Sequence, residues 1–268
     1  MTVNNDLQDR WALVLGASSG FGAAAALELA RNGMNIFGVH LDLRSTLPNA
    51  HRLVREIEDM GRQAVFFNVN AADAKKRDHV LASVSERLTE TGTPVGVLIH
   101  SLAFGTLRPY VAEDRPEALS QAQMEMTLDV MANSLVYWVQ DMFYRRLLAG
   151  GSRVFAMTSA GSFRVWPSYG AVSAAKAALE AHVRQLAYEL APYGVGVNAI
   201  MAGVTDTPAL RRIPGHEKLT DWSRSRNPSG RMTTPEDVAR VIALLSCQAA
   251  GWVTGDVIRV DGGENITG

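Results

Sequence analysis

Residues 11–27 read W-A-L-V-L-G-A-S-S-G-F-G-A-A-A-A-L. An apolar run ends at Gly16, a glycine cluster follows through Gly22, and an alanine-rich segment continues to Gly33. The first run reads as a strand. Residues 22–33 read as a helix, with Gly33 suited to its C-cap. Glycines let the chain turn tightly at the junction and approach an anion closely, and the helix N-terminus adds free N–H groups and partial positive charge. A first strand, a glycine turn and a first helix in this order are where a doubly wound fold holds a dinucleotide. Gly16, Ser18, Ser19, Gly20, Phe21 and Gly22 are therefore candidate phosphate-end residues.

Strand-like and helix-like segments alternate along the rest of the chain. Further strands are expected at 35–41, 63–69, 94–101, 152–159, 194–200 and 256–260. Helices are expected at 49–61, 72–90, 117–149, 168–192 and 235–248. Strands that are apolar nearly throughout suit burial on both faces of a parallel sheet. Alternating βα units imply right-handed crossovers, so the fold class is α/β, a single doubly wound domain with a mainly parallel seven-stranded sheet. The stretch 205–230 carries Pro208, Pro214, Pro228 and many polar residues, and reads as a long irregular loop over a binding site.

Composition narrows the function classes. One residue in five is charged and the formal net charge is −1, so neither nucleic acid nor an anionic membrane is an expected partner. No apolar run approaches membrane-spanning length, and the N-terminus lacks the pattern of a signal peptide. Cys247, the single cysteine, excludes an internal disulfide and fits a reducing, cytoplasmic location. No His/Cys/Asp cluster has metal-ligand spacing.

The chemistry-bearing stretch is P-S-Y-G-A-V-S-A-A-K, residues 167–176. On a helix turning ~100° per residue, Tyr169 and Lys176 fall on nearly the same face. An ammonium near a phenol favours phenolate and lowers a pKa that otherwise lies near ~10. Such a pair also arises by chance on many helices. Its position after the fifth strand, beside the expected cofactor, points to acid–base work. Ser159, ten residues earlier, suits a hydrogen bond to a substrate carbonyl or a cap on a strand end.

The glycine pattern Gly-x3-Gly-x-Gly (16–22), "VNAIMAG" (197–203), "GRMTTPEDVA" (230–239) and "VDGG" (260–263) resemble the short-chain dehydrogenase/reductase family over nearly the whole chain. Most members carry Tyr-x3-Lys, but position 172 here is Val, and Tyr169 gives Tyr-x6-Lys. That spacing, with "IHSLA" (99–103), "LRP" (107–109), Ala202-Gly203 and Met131 in place of the usual tetrad asparagine, resembles the NADPH-using, type III-like enoyl-acyl-carrier-protein reductases. Leu15 replaces the usual threonine before the first glycine.

The resemblance implies a Rossmann-type fold and three catalytic residues, Tyr169, Lys176 and Ser159. It also implies nicotinamide-cofactor contacts from Asn68, Val69, Ser101, Leu102, Ala103, Gly203, Val204, Thr205 and Thr207. His40 stands where NAD-preferring members have an acid, with Asp42 two residues on and Arg44 two beyond that. A cation there suits a 2′-phosphate, so NADPH is expected through Arg44, while Asp42 keeps NADH open. The implied substrate is a trans-2-enoyl thioester, on an acyl carrier protein or CoA, and the implied assembly is a homotetramer. Phe104, Trp166 and Met201 are candidate acyl-pocket residues, and Arg108, Arg211, Arg212 and Arg224 candidate contacts for a carrier or its phosphate. Ser159 also keeps a ketoreductase open, and the missing threonine and asparagine leave room for a nucleotide-binding regulator.

Overall fold

In a computed structural model describing residues 6–89 and 92–267, each of the seven apolar runs is a strand of one parallel sheet. The strands are β1 (Trp11–Leu15), β2 (Asn35–His40), β3 (Ala64–Asn68), β4 (Val95–His100), β5 (Arg153–Ser159), β6 (Gly196–Ala202) and β7 (Val257–Val260). The main helices are α1 (Gly20–Arg31), α2 (Leu47–Asp59), α3 (Ala74–Thr89), α4 (Gln121–Leu128), α5 (Ser134–Tyr144), α6 (Gly170–Leu190), α7 (His216–Arg226) and α8 (Pro235–Ser246). The five inner strands are buried at nearly every position because both faces are covered, while the edge strands β3 and β7 are only partly so. Leu13 and Leu15 of β1 pack with Leu81 of α3, Trp138 of α5 and Leu179 of α6. Ala12 and Val14 turn to the other face, against Leu29 of α1, Ile57 of α2 and Ile242 of α8. Burying each such leucine or isoleucine contributes about 1.5–3 kcal/mol.

Strand order is β3-β2-β1-β4-β5-β6-β7, with every pairing parallel. The order reverses between β1 and β4, whose crossovers leave in opposite directions and open a crevice at the carboxyl ends of the strands. Backbone packs tightly there. Gly16 has φ +87°, and a Cβ on it would collide with the Ser101 carbonyl oxygen beyond β4. A Cβ on Gly22 would likewise collide with the Gly16 carbonyl oxygen.

Two expectations need correction. The helical region 117–149 is not one helix: α4 and α5 are joined by a π-helical turn at Asp129–Asn133. The stretch 205–230 is not merely irregular, because it contains the 11-residue helix α7. Among the described residues no helix is long and apolar enough to cross a membrane.

The Gly16–Gly22 contact yields a prediction. Gly22→Ala must push α1 away from the turn, and overpacking of this kind costs about 1–3 kcal/mol. The midpoint of thermal unfolding is expected to fall by roughly 2 to 10 °C, read by circular dichroism.

Candidate active site

A cleft of about 630 Å³ lies over this crevice. Its phosphate end is walled by Gly16, Ser18, Ser19, Gly20, Phe21 and His40, and its middle by Ser101, Leu102, Ala103, Gly203, Val204, Thr205 and Thr207. Ser159, Tyr169 and Lys176 line the same cleft. Four other candidates do not reach its wall. Gly22 is buried behind the turn, Arg44 is exposed, and Asn68 and Val69 end β3 outside the cleft.

Asn68 instead holds Asp42. Its Oδ1 accepts from the Asp42 N–H at 2.9 Å and its Nδ2 donates to the Asp42 carbonyl at 3.1 Å. The Asp42 carboxylate lies 2.8 Å from His40 Nδ1, with both side chains almost wholly buried. Burial pushes this carboxyl up, but hydrogen bonds from Ser18, Thr46 and His40 together outweigh it and hold Asp42 below the ordinary range. The Asp42 carboxylate is thus held beside Ser18 of the glycine turn, although like Arg44 it does not line the cleft.

At the other end, Tyr169 is the N-cap of α6, with φ −96° and ψ 0°. It stands just before the helix, so helical phase does not relate it to Lys176. Ser168 ahead of it adopts φ +60°, a left-handed conformation uncommon for serine that turns the chain into the cleft. The ring rests on Gly161, where a Cβ would strike it. Burial raises the Tyr169 pKa, opposed by the neighbouring Ser159 hydroxyl. The expected lowering by Lys176 is therefore absent, and the phenol stays protonated.

The Ser159 Oγ is buried beside the phenol, outside strict hydrogen-bond geometry and without a partner. Lys176 is buried, and its Nζ donates to the Met157 carbonyl at 2.6 Å. Burial lowers its pKa to about 8, opposed by the carboxylate of Glu180 one turn on.

His100, at the end of β4, is fully buried and held neutral, its pKa lowered to about 3 by burial and by the Lys176 charge. Ser134 Oγ donates to the Val130 carbonyl in the π-turn, so it accepts from His100 Nε2 at 2.8 Å. Phe104 and Trp166 line the cleft, while Met201 is buried in β6 away from it. Of the four candidate arginines only Arg212 reaches the wall. Arg211 pairs with Asp206, and Arg108 donates to the Pro116 carbonyl.

Among the cleft residues that sequence reading missed are Trp222 and Glu264. The guanidiniums of Arg164 and Arg226 each lie over the Trp222 ring, at 5.1 and 4.7 Å from its centre. No motif marks Trp222 or Glu264, since α7 and the C-terminal segment meet only in the folded chain.

The glycine turn at a strand-order reversal, with a buried Lys and a half-buried Tyr and Ser on the cleft wall beyond it, defines an oxidoreductase of the short-chain dehydrogenase/reductase class with a nicotinamide nucleotide cofactor. The chain belongs to the enoyl-(acyl carrier protein) reductase family, whose model matches residues 16–265. It is 30% identical to the 1-cyclohexenylcarbonyl-CoA reductase of Streptomyces collinus, over 95% of this chain and 86% of that one. It is 28% identical to the NADH enoyl-[acyl-carrier-protein] reductase FabI of Buchnera aphidicola, over 97% and 96%. Among solved structures, the reductase LugOII, which catalyses keto-reduction at C1 during lugdunomycin biosynthesis, superposes with a TM-score of 0.82 at 27% identity, covering 98% of this chain and all of that one. Relatives of this chain thus reduce both double bonds and ketones.

The depressed Lys176 pKa gives a pH test. Below about 8 the free protein carries an ammonium at the cleft, and above it a neutral amine. Fluorescence titration with nicotinamide cofactor between pH 6 and 10 is expected to show affinity falling as pH rises through about 8. Lys176→Met should bind more weakly, with that inflection gone.

Proposed function

We propose that this protein reduces the carbon–carbon double bond of a 2-enoyl thioester, with NADH preferred to NADPH as reductant. Carrying the reading is the position of the phenol: Tyr169 enters the cleft from the N-cap of α6, while position 172 is a buried valine on the cleft wall. The site residues fit the cofactor. The glycine turn leaves backbone N–H groups open to a pyrophosphate, and the Asp42 carboxylate beside Ser18 suits a ribose diol. A 2′-phosphate would meet that carboxylate as a like charge, which favours NADH over the NADPH expected from Arg44.

A bound reduced nicotinamide supplies the hydride, which the substrate receives at its β-carbon. The protein stabilises the negative charge that develops on the thioester oxygen. Tyr169, whose raised pKa keeps its proton in place, donates a hydrogen bond to that oxygen, and solvent water supplies the proton taken up at the α-carbon. Ser159 Oγ, buried without a partner, adds a second donor. Lys176 uses one N–H on the Met157 carbonyl and keeps two for the ribose hydroxyls. Phe104, Leu107, Val165 and Trp166 give an apolar wall for the acyl chain, and residues 205–230 cover it as a substrate loop.

Ketone reduction is the second reading, favoured by one observation: Ser159 and Tyr169 stand side by side as a two-donor clamp for a carbonyl. Acyl carrier protein or CoA serves equally as thioester carrier. The homotetramer expected from the family is supported by Trp252, 99% exposed just before β7, which pairs only with β6 at the sheet edge.

Cofactor absorbance at 340 nm separates these readings. NADH is expected to be oxidised with crotonyl-CoA and not with acetoacetyl-CoA, and the reverse result moves the protein to the ketoreductases. Tyr169→Phe should lower kcat on crotonyl-CoA by about 100-fold or more. Asp42→Ser should narrow the preference for NADH by about tenfold. A wild-type preference for NADPH would overturn the cofactor reading.

A further inference from the structure

Glu264 is 1% exposed, lies on the cleft wall, and has no part in the reduction above. One carboxylate oxygen, Oε2, receives two donors from different elements. The Val204 N–H, in the loop after β6 that lines the cofactor end, donates at 3.2 Å. The Ser223 O–H, on α7, donates at 2.5 Å. Ser223 is the single buried residue of α7 and follows Trp222, which walls the substrate end.

Helix α7 has few other ties. It starts at Gly215, in the left-handed conformation and with no side-chain cap. Its C-terminal half is stitched to the 261–267 segment at three points. These are Ser223 to Glu264, Asn227 Nδ2 to the Asp261 carbonyl at 2.9 Å, and Thr267 Oγ1 to the Arg226 carbonyl at 3.0 Å. Of these three, only Glu264 also bonds to the cofactor-side loop.

We infer that Glu264 is a positioning residue that couples the lid helix α7 to the nicotinamide-side loop, so that acyl substrate and cofactor each tighten the other's binding. The inference rests on reading the cleft as a nicotinamide and acyl-thioester site. Order in the Val204 loop, imposed by cofactor, holds the carboxylate where Ser223 can reach it. Seating of α7 against an acyl chain returns the effect along the same two bonds, because binding coupling is reciprocal. The bonds need an acceptor oxygen at this place, which a glutamine carbonyl also supplies.

The test measures NADH dissociation constants by fluorescence, with and without butyryl-CoA, the unreactive saturated product. In the wild type, butyryl-CoA is expected to tighten NADH several-fold. Glu264→Ala should weaken NADH about tenfold and abolish the tightening. Ser223→Ala should leave NADH alone within twofold, yet also abolish the tightening and raise KM for crotonyl-CoA with kcat little changed. Glu264→Gln should restore most of both effects. Should Glu264→Ala not fold, Ser223→Ala and Glu264→Gln still decide. Persistence of the tightening in Ser223→Ala, or a Gln variant that folds yet behaves like Ala, overturns the latch. Failure of the enoyl reading looks different: wild-type NADH binding without crotonyl-CoA oxidation or any response to butyryl-CoA. In that case the latch stands or falls on NADH affinity in Glu264→Ala against Ser223→Ala.

Discussion

Everything in this molecule is arranged around backbone meeting backbone where β1 and β4 part. Gly16 lies against the Ser101 carbonyl and Gly22 against the Gly16 carbonyl, with no side chain between them. That closeness brings the N-terminus of α1 to the rim of the sheet, where its free N–H groups face the cleft. It also sets the phosphate end at a fixed distance from β5 and α6, which carry the reacting groups. A side chain at either glycine would separate strand from helix and widen the gap from one end to the other.

Burial then tunes the far end. Desolvation works against charge, so it raises the phenol of Tyr169 and lowers the ammonium of Lys176. The two shifts serve different needs. A donor that keeps its proton can hydrogen-bond an oxygen as negative charge grows there. An amine near neutrality answers readily to an anionic cofactor. The neutral imidazole of His100 adds no competing positive charge beside Lys176, and its hydrogen bond to Ser134 ties β4 to the π-turn.

The sheet was legible because doubly covered strands must be apolar throughout, and each of the seven runs gives a strand within two residues of its expected ends. Helix α7 was not legible. Its sequence, HEKLTDWSRSR, is polar, it buries only Ser223, and its support comes from a segment forty residues later. The converging Tyr, Lys and Ser could be placed from motif order, but not their electrostatics. Spacing alone sets Lys176 to acidify Tyr169, whereas burial dominates and the tyrosine stands outside the helix. Arg44 and Asp42 are two residues apart and equally visible as letters. Only the bonds from Ser18 and Asn68 decide which of them faces the turn.

The π-turn at Asp129–Asn133 makes the helical rod between β4 and β5 sensitive to length rather than to composition. Five residues per hydrogen-bonded loop, in place of four, absorb one extra position without bending the flanking segments apart. Removing that extra position would close the turn to α-helix with the flanking faces kept, whereas adding a further residue, which the turn cannot absorb, would rotate everything downstream by roughly 100°. Ser134 would swing off the imidazole and Trp138 off the Ala71 carbonyl it now reaches at 2.8 Å. Substitutions along this rod are felt one side chain at a time, but a further insertion would re-index its whole inner surface.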